Sequence, residues 1–395
     1  MSRSDARTVL GRRLRLALVG GGGGALIGPV HRMAARLDDQ IEIVAGVMSS
    51  DPDRSMAQAA ALGIPRAYPD VATMIAAEGA RSDGADAVSI STPNDTHVAF
   101  AGLALDAGLD VICDKPIAND FASAMAMAEK IRDSGLVVVL THNYAGYPMV
   151  REARSAVQAG EIGALRIVKV TYFQGSLATR VEDDPGSMPD RLKWRLDPAR
   201  GGVSHVMGDI GTHAHQLLTF VTGEPVAAVA AQVGAAVPGR SADDTGAALI
   251  RMAGGAMGVL FVTKAANGAE NALAIEVYGE RGGLGWEQRD ANTLRVMRHN
   301  RPVELRTRAL PTLHPAALRA SRLPPGHPEA FIEGFANLYR DFADMVAARR
   351  MGVPPDPLAT DAPGIADGIA GLAFIDACLA STRTGRWVTI SGAKA

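Results

Sequence analysis

Leu14-Arg-Leu-Ala-Leu-Val19 empties into five consecutive glycines, Gly20 to Gly24, then Ala25-Leu-Ile-Gly28 and Pro29-Val-His-Arg-Met-Ala-Ala-Arg-Leu37. The apolar run reads as a buried strand, and the segment beyond the glycines has apolar residues at helical spacing. Glycine permits the tight turn and close backbone approach that a pyrophosphate requires. The helix that follows offers unpaired N–H groups and the positive end of its dipole to the anion. A flexible linker would not be flanked by a strand and an amphipathic helix. The stretch therefore predicts the opening of a dinucleotide-binding unit.

Outward from it, strand and helix patterns alternate as far as Tyr144, which predicts a parallel sheet with helices on both faces. Ile41–Met48 and residues 86–91, 110–113 and 136–140 read as further strands. After Tyr144 the apolar period drops to two, as in Leu165–Phe173 and Val226–Gly234. Gly254-Gly255 and Gly282-Gly283 punctuate two strand–turn–strand patterns. That half reads as an open, mostly antiparallel sheet in an α+β domain, with one face on helices. Two helices, around Phe331–Met345 and Ile365–Thr382, and a last strand at Trp387–Ile390 close the chain. The expected division is residues 1–147 as an α/β Rossmann domain and 148–395 as a domain for substrate and oligomerisation, with the last helices packing back on the first.

Length and composition agree: 395 residues suit two domains, and 47% apolar with 21% charged residues is a globular balance. A net charge of −2 gives no reason to expect nucleic acid or an anionic membrane as partner. Two cysteines, Cys113 and Cys378, exclude a disulfide framework and fit a reducing cytoplasm. No apolar run approaches a membrane span. Arg12-Arg13 before the first strand loosely resembles an export signal, but cleavage there would remove the glycine motif, so residues 1–13 read as a basic tail. Arg295–Pro328, with Arg298, Arg301, Arg306, Arg308, Arg319 and Arg322, reads as a solvated arm over a neighbouring subunit, or alternatively as a site for an anionic substrate group.

Three segments carry further chemistry. Ser91-Thr-Pro-Asn94 with His97, and Cys113-Asp114-Lys115-Pro116, each follow a predicted strand, at the sheet edge where ligands bind. A lysine there can donate to a substrate oxygen, and the proline restrains its backbone. In Gly208-Asp209-Ile-Gly-Thr-His213 the carboxylate and imidazole stand four residues apart, one helical turn. A histidine can take a proton from an alcohol near neutral pH, and a carboxylate one turn away can orient the substrate or assist. His205, Asp209 and His213 would match a zinc spacing if the helix began early, but Gly208 and Gly211 argue against that start, and no metal site is expected.

Together these segments resemble the glucose–fructose oxidoreductase/inositol dehydrogenase/MocA family over nearly the whole chain. The carriers are the glycine loop with His31, Thr92-Pro93-Asn94 with His97, Asp114-Lys115-Pro116, Gly160-Glu-Ile-Gly163 and Gly208-Asp-Ile-Gly-Thr-His213. The resemblance implies hydride transfer between NAD or NADP and a secondary alcohol or ketone of a sugar, cyclitol or glycoside, in a homodimer or homotetramer. It makes Lys115, Asp209 and His213 catalytic. It places Gly20, Gly22, Gly28, Thr92, Pro93, Asn94, His97, Asp114, Lys115 and Asn143 at the cofactor. Lys115, Asn143, Trp194, Arg195, Asp209 and His213 would meet the substrate, with Pro324–Pro328 helping to shape its pocket.

Three departures stand out. Asp114 replaces the family's glutamate, and the glycine loop is longer than Gly-x-Gly-x-x-Gly. Where members that prefer NAD carry an acid after the second strand, this chain has Met48-Ser49-Ser50-Asp51 with Arg54 beyond. Ser49, Ser50 and Arg54 suit a 2′-phosphate, so the expectation leans to NADP, although Asp51 would serve NAD if the strand ended later. The alternatives are a cofactor-binding sensor without turnover and a zinc-dependent enzyme.

Overall fold

The computed structural model describes residues 5–184, 186, 188 and 190–390. The chain divides into two compact units. One holds the residues up to Asn143 together with Phe331–Gly368, and the other holds Tyr144–Ala330 and the segment from Ile369 on. Of the basic tail expected at residues 1–13, the first four lie outside the described residues.

The first unit runs α1 (Ala6–Leu10), β1 (Leu14–Gly20), α2 (Ile27–Leu37), β2 (Ile41–Val47), α3 (Pro52–Ala61), β3 (Arg66–Ala67), α4 (Val71–Gly79), β4 (Ala87–Ser91), α5 (His97–Asp106), β5 (Asp110–Cys113), α6 (Phe121–Ser134) and β6 (Val138–Leu140). Its six strands are all parallel, in the order β3-β2-β1-β4-β5-β6. The order reverses between β1 and β4, which opens a crevice at the carboxyl ends of the strands where the glycine run begins. Asp51, Asp70 and Asp120 start α3, α4 and α6 by accepting a backbone N–H three residues on.

Residues 5–13 are not a loose tail. Asp5 caps α1, Ala6 N donates to Asp344 Oδ1 at 2.9 Å, and Arg12 forms a bidentate pair with Asp86 at 2.6 and 2.8 Å. The basic residues of this segment are ion-paired to Asp39 and Asp86, farther along the chain, which local sequence does not reveal.

The second unit contains α7 (Pro148–Gln158), β7 (Leu165–Phe173), α8 (Asp190–Leu196), α9 (Pro198–Gly201), α10 (Thr212–Thr222), β8 (Val226–Gly234), β9 (Thr245–Met252), β10 (Met257–Thr263), β11 (Ala272–Gly279), β12 (Gly283–Glu287), β13 (Thr293–Met297), β14 (Glu304–Thr307) and α11 (Pro315–Arg319). The chain then returns to the first unit through α12 (Phe331–Met351). The next helix, α13 (Ile365–Thr384), leads to β15 (Val388–Thr389) in the second unit. The nine-stranded sheet has the order β14-β13-β12-β11-β7-β10-β9-β8-β15 and is antiparallel except where β7 and β10 pair. One face buries Val168, Val170, Ile250, Leu260 and Val277 in a core shared with α7 and α10.

The arginine-rich segment is a correction. Within it β13 and β14 form a hairpin, and Arg298, Arg306, Arg308 and Arg322 are paired with acids of the same unit. Arg306 binds Glu161 at 2.6 Å and Glu152 at 3.0 Å, while the buried Arg308 binds Glu329 at 2.6 Å. These guanidinium groups are structural ties rather than a solvated arm. One helix among those described, α13, is long and apolar enough to cross a membrane by length and composition. It carries Asp367 and Asp376, and its Phe374, Ile375 and Cys378 are packed in the core of the second unit.

Candidate functional site

In the first unit the glycine run is shaped by what lies against it. Gly20 and Gly21 have φ of 86° and 75°, where a side chain is strained. A Cβ on Gly20 would lie 2.6 Å from Thr92 Cγ2, and one on Gly22 would collide with Met48 O and Gln58. Gly28 packs on Gly21, a glycine the motif reading had not marked. Helix α2 starts at Ile27, so Gly28 lies in its first turn, and no side chain caps it. Its leading N–H groups are thus left for an anion. Arg32 Nη1 donates to Gly21 O at 2.5 Å and anchors the loop to the same helix.

Beyond β2, Asp51 is the N-cap of α3, its Oδ1 accepting from Arg54 N at 2.8 Å. Arg54 Nε also donates to Ser49 Oγ at 2.8 Å. The strand ends at Val47, so the acid stands past it as a helix cap, while Ser49 and Arg54 are joined at the strand's end. Ser50 is exposed beside them.

After β4, Thr92 and Pro93 lead into a 3-10 turn at Asn94–Thr96, and Thr96 Oγ1 bonds Thr92 Oγ1 at 2.6 Å. His97 is fully buried, with Nδ1 2.7 Å from Pro116 O and Nε2 2.9 Å from Thr92 O, and so ties the loops after β4 and β5 together. Asp114 is bonded by Thr141 Oγ1 at 2.8 Å and by the Lys115 amide at 3.0 Å. Lys115, 9% exposed, follows at the same sheet edge. Asn143 is 1% exposed and its Nδ2 is a buried donor without a partner among the described residues.

These features fit a nicotinamide dinucleotide. A backbone cradle that no Cβ would leave open and an uncapped helix start suit the pyrophosphate, and an orphaned amide donor suits the carboxamide end. Below the loop, His31 Nδ1 and Ser89 Oγ both bond Tyr339 OH at 2.7 Å, fastening α2 and β4 to α12. Burial lowers the pKa of His31.

In the second unit a helix begins at His205, Met207–Gly211 forms a π-helical turn, and α10 follows. The early start that Gly208 and Gly211 argue against does occur. Ser204 Oγ accepts from Met207 N at 3.2 Å and from there the widened turn accommodates both glycines. The π turn breaks the single face on which His205, Asp209 and His213 would bind zinc. His205 Nδ1 lies 3.1 Å from Arg195 O, and burial and the Lys264 charge lower its pKa to about 4. Among the described residues no three His, Cys, Asp or Glu are grouped to hold a metal, so the zinc alternative has no support.

Asp209 is ion-paired with Lys264, and Arg195 Nη1 stands 3.7 Å from the same carboxylate, its guanidinium over the Trp194 ring at 5.2 Å. His213 meets Tyr144 edge-on at 5.2 Å. Tyr144 OH is 2.8 Å from Tyr172 OH and 3.0 Å from Gln288 Oε1; Asn271 joins Tyr172 at 2.8 Å and Gln288 at 3.0 Å, and Gln174 joins Asn271 at 2.6 Å. Burial raises the pKa of Tyr144 and, further, of Tyr172, with the Asp209 charge acting in the same direction. Both phenols therefore stay protonated and able to donate.

The sequence reading missed Lys264, Tyr172, Asn271 and Gln288. Tyr144 it passed over beside Asn143. Tyr172 lies on the inward side of an alternating strand, the one signal available. Lys264 sits 55 residues from Asp209 with no local mark.

Family models match residues 14–153 as an oxidoreductase family with an NAD-binding Rossmann fold and residues 150–285 as the GFO/IDH/MocA C-terminal domain. An uncharacterized oxidoreductase, YfiI, of Bacillus subtilis is 30% identical over 97% of this chain and 98% of its own. A crystal structure of an oxidoreductase from Sinorhizobium meliloti superposes with a TM-score of 0.84 at 41% identity, covering 95% of this chain and 99% of that one. An inositol dehydrogenase homolog from Azotobacter vinelandii, complexed with NADH and myo-inositol, does so with a TM-score of 0.87 at 32% identity, over 98% and 100% of the two chains. With its cofactor cradle and both domains matched, the chain belongs to the Gfo/Idh/MocA family of NAD(P)-dependent oxidoreductases.

Proposed function

We propose that the chain is a dehydrogenase of a sugar- or cyclitol-like polyol, acting on one secondary alcohol. The observation that carries the substrate class is the network of the buried Tyr144 and Tyr172 with the half-buried Asn271, Gln288 and Gln174 beside His213. Phenols and amides offer both donors and acceptors at fixed positions, which suits neighbouring hydroxyl groups and gives an apolar substrate nothing.

Bound NAD(P) supplies the acceptor for hydride. His213 takes the hydroxyl proton as the C–H bond breaks, so the alcohol loses one hydride and one proton and becomes a ketone. Lys115 stabilises the negative charge that builds on the oxygen. Asp209 orients the hydroxyl, and Trp194 and Arg195 border the substrate. Gly20, Gly22, Gly28, Thr92–Asn94 and Asn143 hold the cofactor, with His97 and Asp114 bracing their loops. Ser49, Ser50 and Arg54 favour NADP.

The polyol is intracellular on this reading, and both cysteines are free and buried. The chain acts as a homodimer or homotetramer. Ile167, Lys169 and Leu249 register beside Met257 and Val259 on the face of the nine-stranded sheet away from the core, and the apolar ones among them, with Phe261, are exposed.

The test is a panel of sugars and inositols assayed for NAD(P)H formation with wild type and His213→Ala. Turnover that falls about 10²–10⁴-fold in the variant, with NADH binding kept, supports the reading. Wild-type-like turnover in His213→Ala overturns the role. No turnover on any polyol with NADH binding intact favours the sensor.

A further inference from the structure

Lys264 directly follows β10 and is held on both sides of its backbone. Its N–H donates to Asp244 O at 2.8 Å and its carbonyl accepts from Leu177 N at 2.9 Å. The residue is 2% exposed, and its ammonium group is hydrogen-bonded to Asp209 Oδ2. A lysine buried to this degree is ordinarily found paired with an acid. Asp209, in contrast, rides on the π-helical turn, where the backbone ladder is irregular.

Two acids of the same unit have partners of their own. Asp244 takes Arg240 Nη1 at 2.9 Å and the Ala236 amide at 2.7 Å. Asp243 takes Ser204 Oγ at 2.9 Å and the Val206 amide at 2.6 Å. Arg195, from α8, lies beyond hydrogen-bond reach at 3.7 Å. His205, on the same helix, stays neutral, and Tyr144 and Tyr172 stay protonated. His213 lies on the following turn.

We propose that Lys264 is a positioning residue of the reaction: it fixes Asp209 in the ionised form, which accepts hydrogen bonds and cannot donate them, and offsets that negative charge where His213 would feel it. This rests on the roles proposed for Asp209 and His213. Without the ammonium group Asp209 binds a proton more readily, and its uncompensated charge also makes His213 more basic. Both effects move the acid limb of alcohol oxidation to higher pH.

The test compares wild type with Lys264→Met, Lys264→Gln, Lys264→Arg, Asp209→Asn and the Asp209→Asn/Lys264→Gln double variant, using NADH fluorescence to report folding. The Asp209 carboxyl signal, recorded in ¹³C-aspartate-labelled protein and assigned by its loss in Asp209→Asn, is titrated by NMR. In Lys264→Met or Lys264→Gln its midpoint should rise by about 1–3 pH units. Lys264→Arg should keep it within a few tenths of a unit. With myo-inositol as the kinetic probe, the acid limb of kcat/KM should move up in Lys264→Gln, and adding that change to Asp209→Asn should move it by less, since only the direct effect of the lost ammonium charge on His213 remains. An unmoved Asp209 midpoint in the folded neutral variants overturns the inference. Full activity in Asp209→Asn overturns the role of Asp209 instead. Should Lys264→Met fail to bind NADH, Lys264→Gln takes its place.

Discussion

Gly21 and Gly28 meet backbone to backbone: a Cβ on Gly21 would lie 2.7 Å from Gly28 Cα, and one on Gly28 would lie 2.6 Å from Gly21 O and closer still to its Cα. The first turn of α2 is thereby brought against the end of β1. Gly28→Ala must push the two apart, so NADH affinity should fall at least tenfold, with a stability loss of about 1–3 kcal/mol. Fluorescence titration and urea unfolding check this. Gly23→Ala is the control, since its Cβ would meet only the movable Gln58 amide at 3.0 Å.

Arg54 is held by Ser49 at 2.8 Å and is otherwise exposed. Arg54→Ala should weaken NADP about tenfold, near 1.4 kcal/mol, and leave NAD within a factor of two. Calorimetric titration with both cofactors decides it. Equal effects on both would remove the preference for NADP.

Tyr339 is 1% exposed and its hydroxyl serves His31 and Ser89 at once. Tyr339→Phe strands two buried polar groups and should cost about 1–3 kcal/mol in urea unfolding. Burial raises the tyrosine pKa, so no ionisation of this hydroxyl should show in a stability profile through pH 9.

Asp86 is an acid whose titration should be visible in stability. Burial alone would raise its pKa, but the Arg12 hydrogen bond, the Arg15 amide and Arg350 outweigh this and hold it below the usual value of 3.8. A lowered carboxylate pKa stabilises the fold above the unfolded value near 4, and that stability is lost as pH falls through the lower folded value. Asp86→Asn should be less stable at pH 7, and its stability should fall less steeply than wild type between about pH 4 and 2. Parallel curves in thermal melts across that range would exclude the assignment.

Much of this was legible from local pattern. The strand before the glycines, Leu165–Phe173 and Val226–Gly234 were all readable because period and bounding glycines act over a few residues. What was not legible depends on distant partners. Arg306 looks solvated until Glu152 and Glu161 are beside it, and Arg12 until Asp86 is. The π turn at Met207–Gly211 was hidden because its two glycines argue against a helix, whereas the cap from Ser204 and the pairing of Asp209 with Lys264 lie outside any local window. Lys115 and His213 could be named from motif, yet the tyrosine–amide network that would select a polyol could not.

The return of α12 to the first unit has a consequence for synthesis on the ribosome. Phe335, Tyr339, Phe342 and Val346 complete the core that also holds Leu16, Leu18, Ala34 and Ala35. Those early residues emerge well before their partners, and the intervening Tyr144–Ala330 takes roughly 10–40 s to translate at about 5–20 residues per second. For that interval a nascent cofactor domain carries an apolar face with nothing to cover it. Chaperone capture should therefore peak on chains stalled before Phe331 and fall away once Met351 has cleared the exit tunnel.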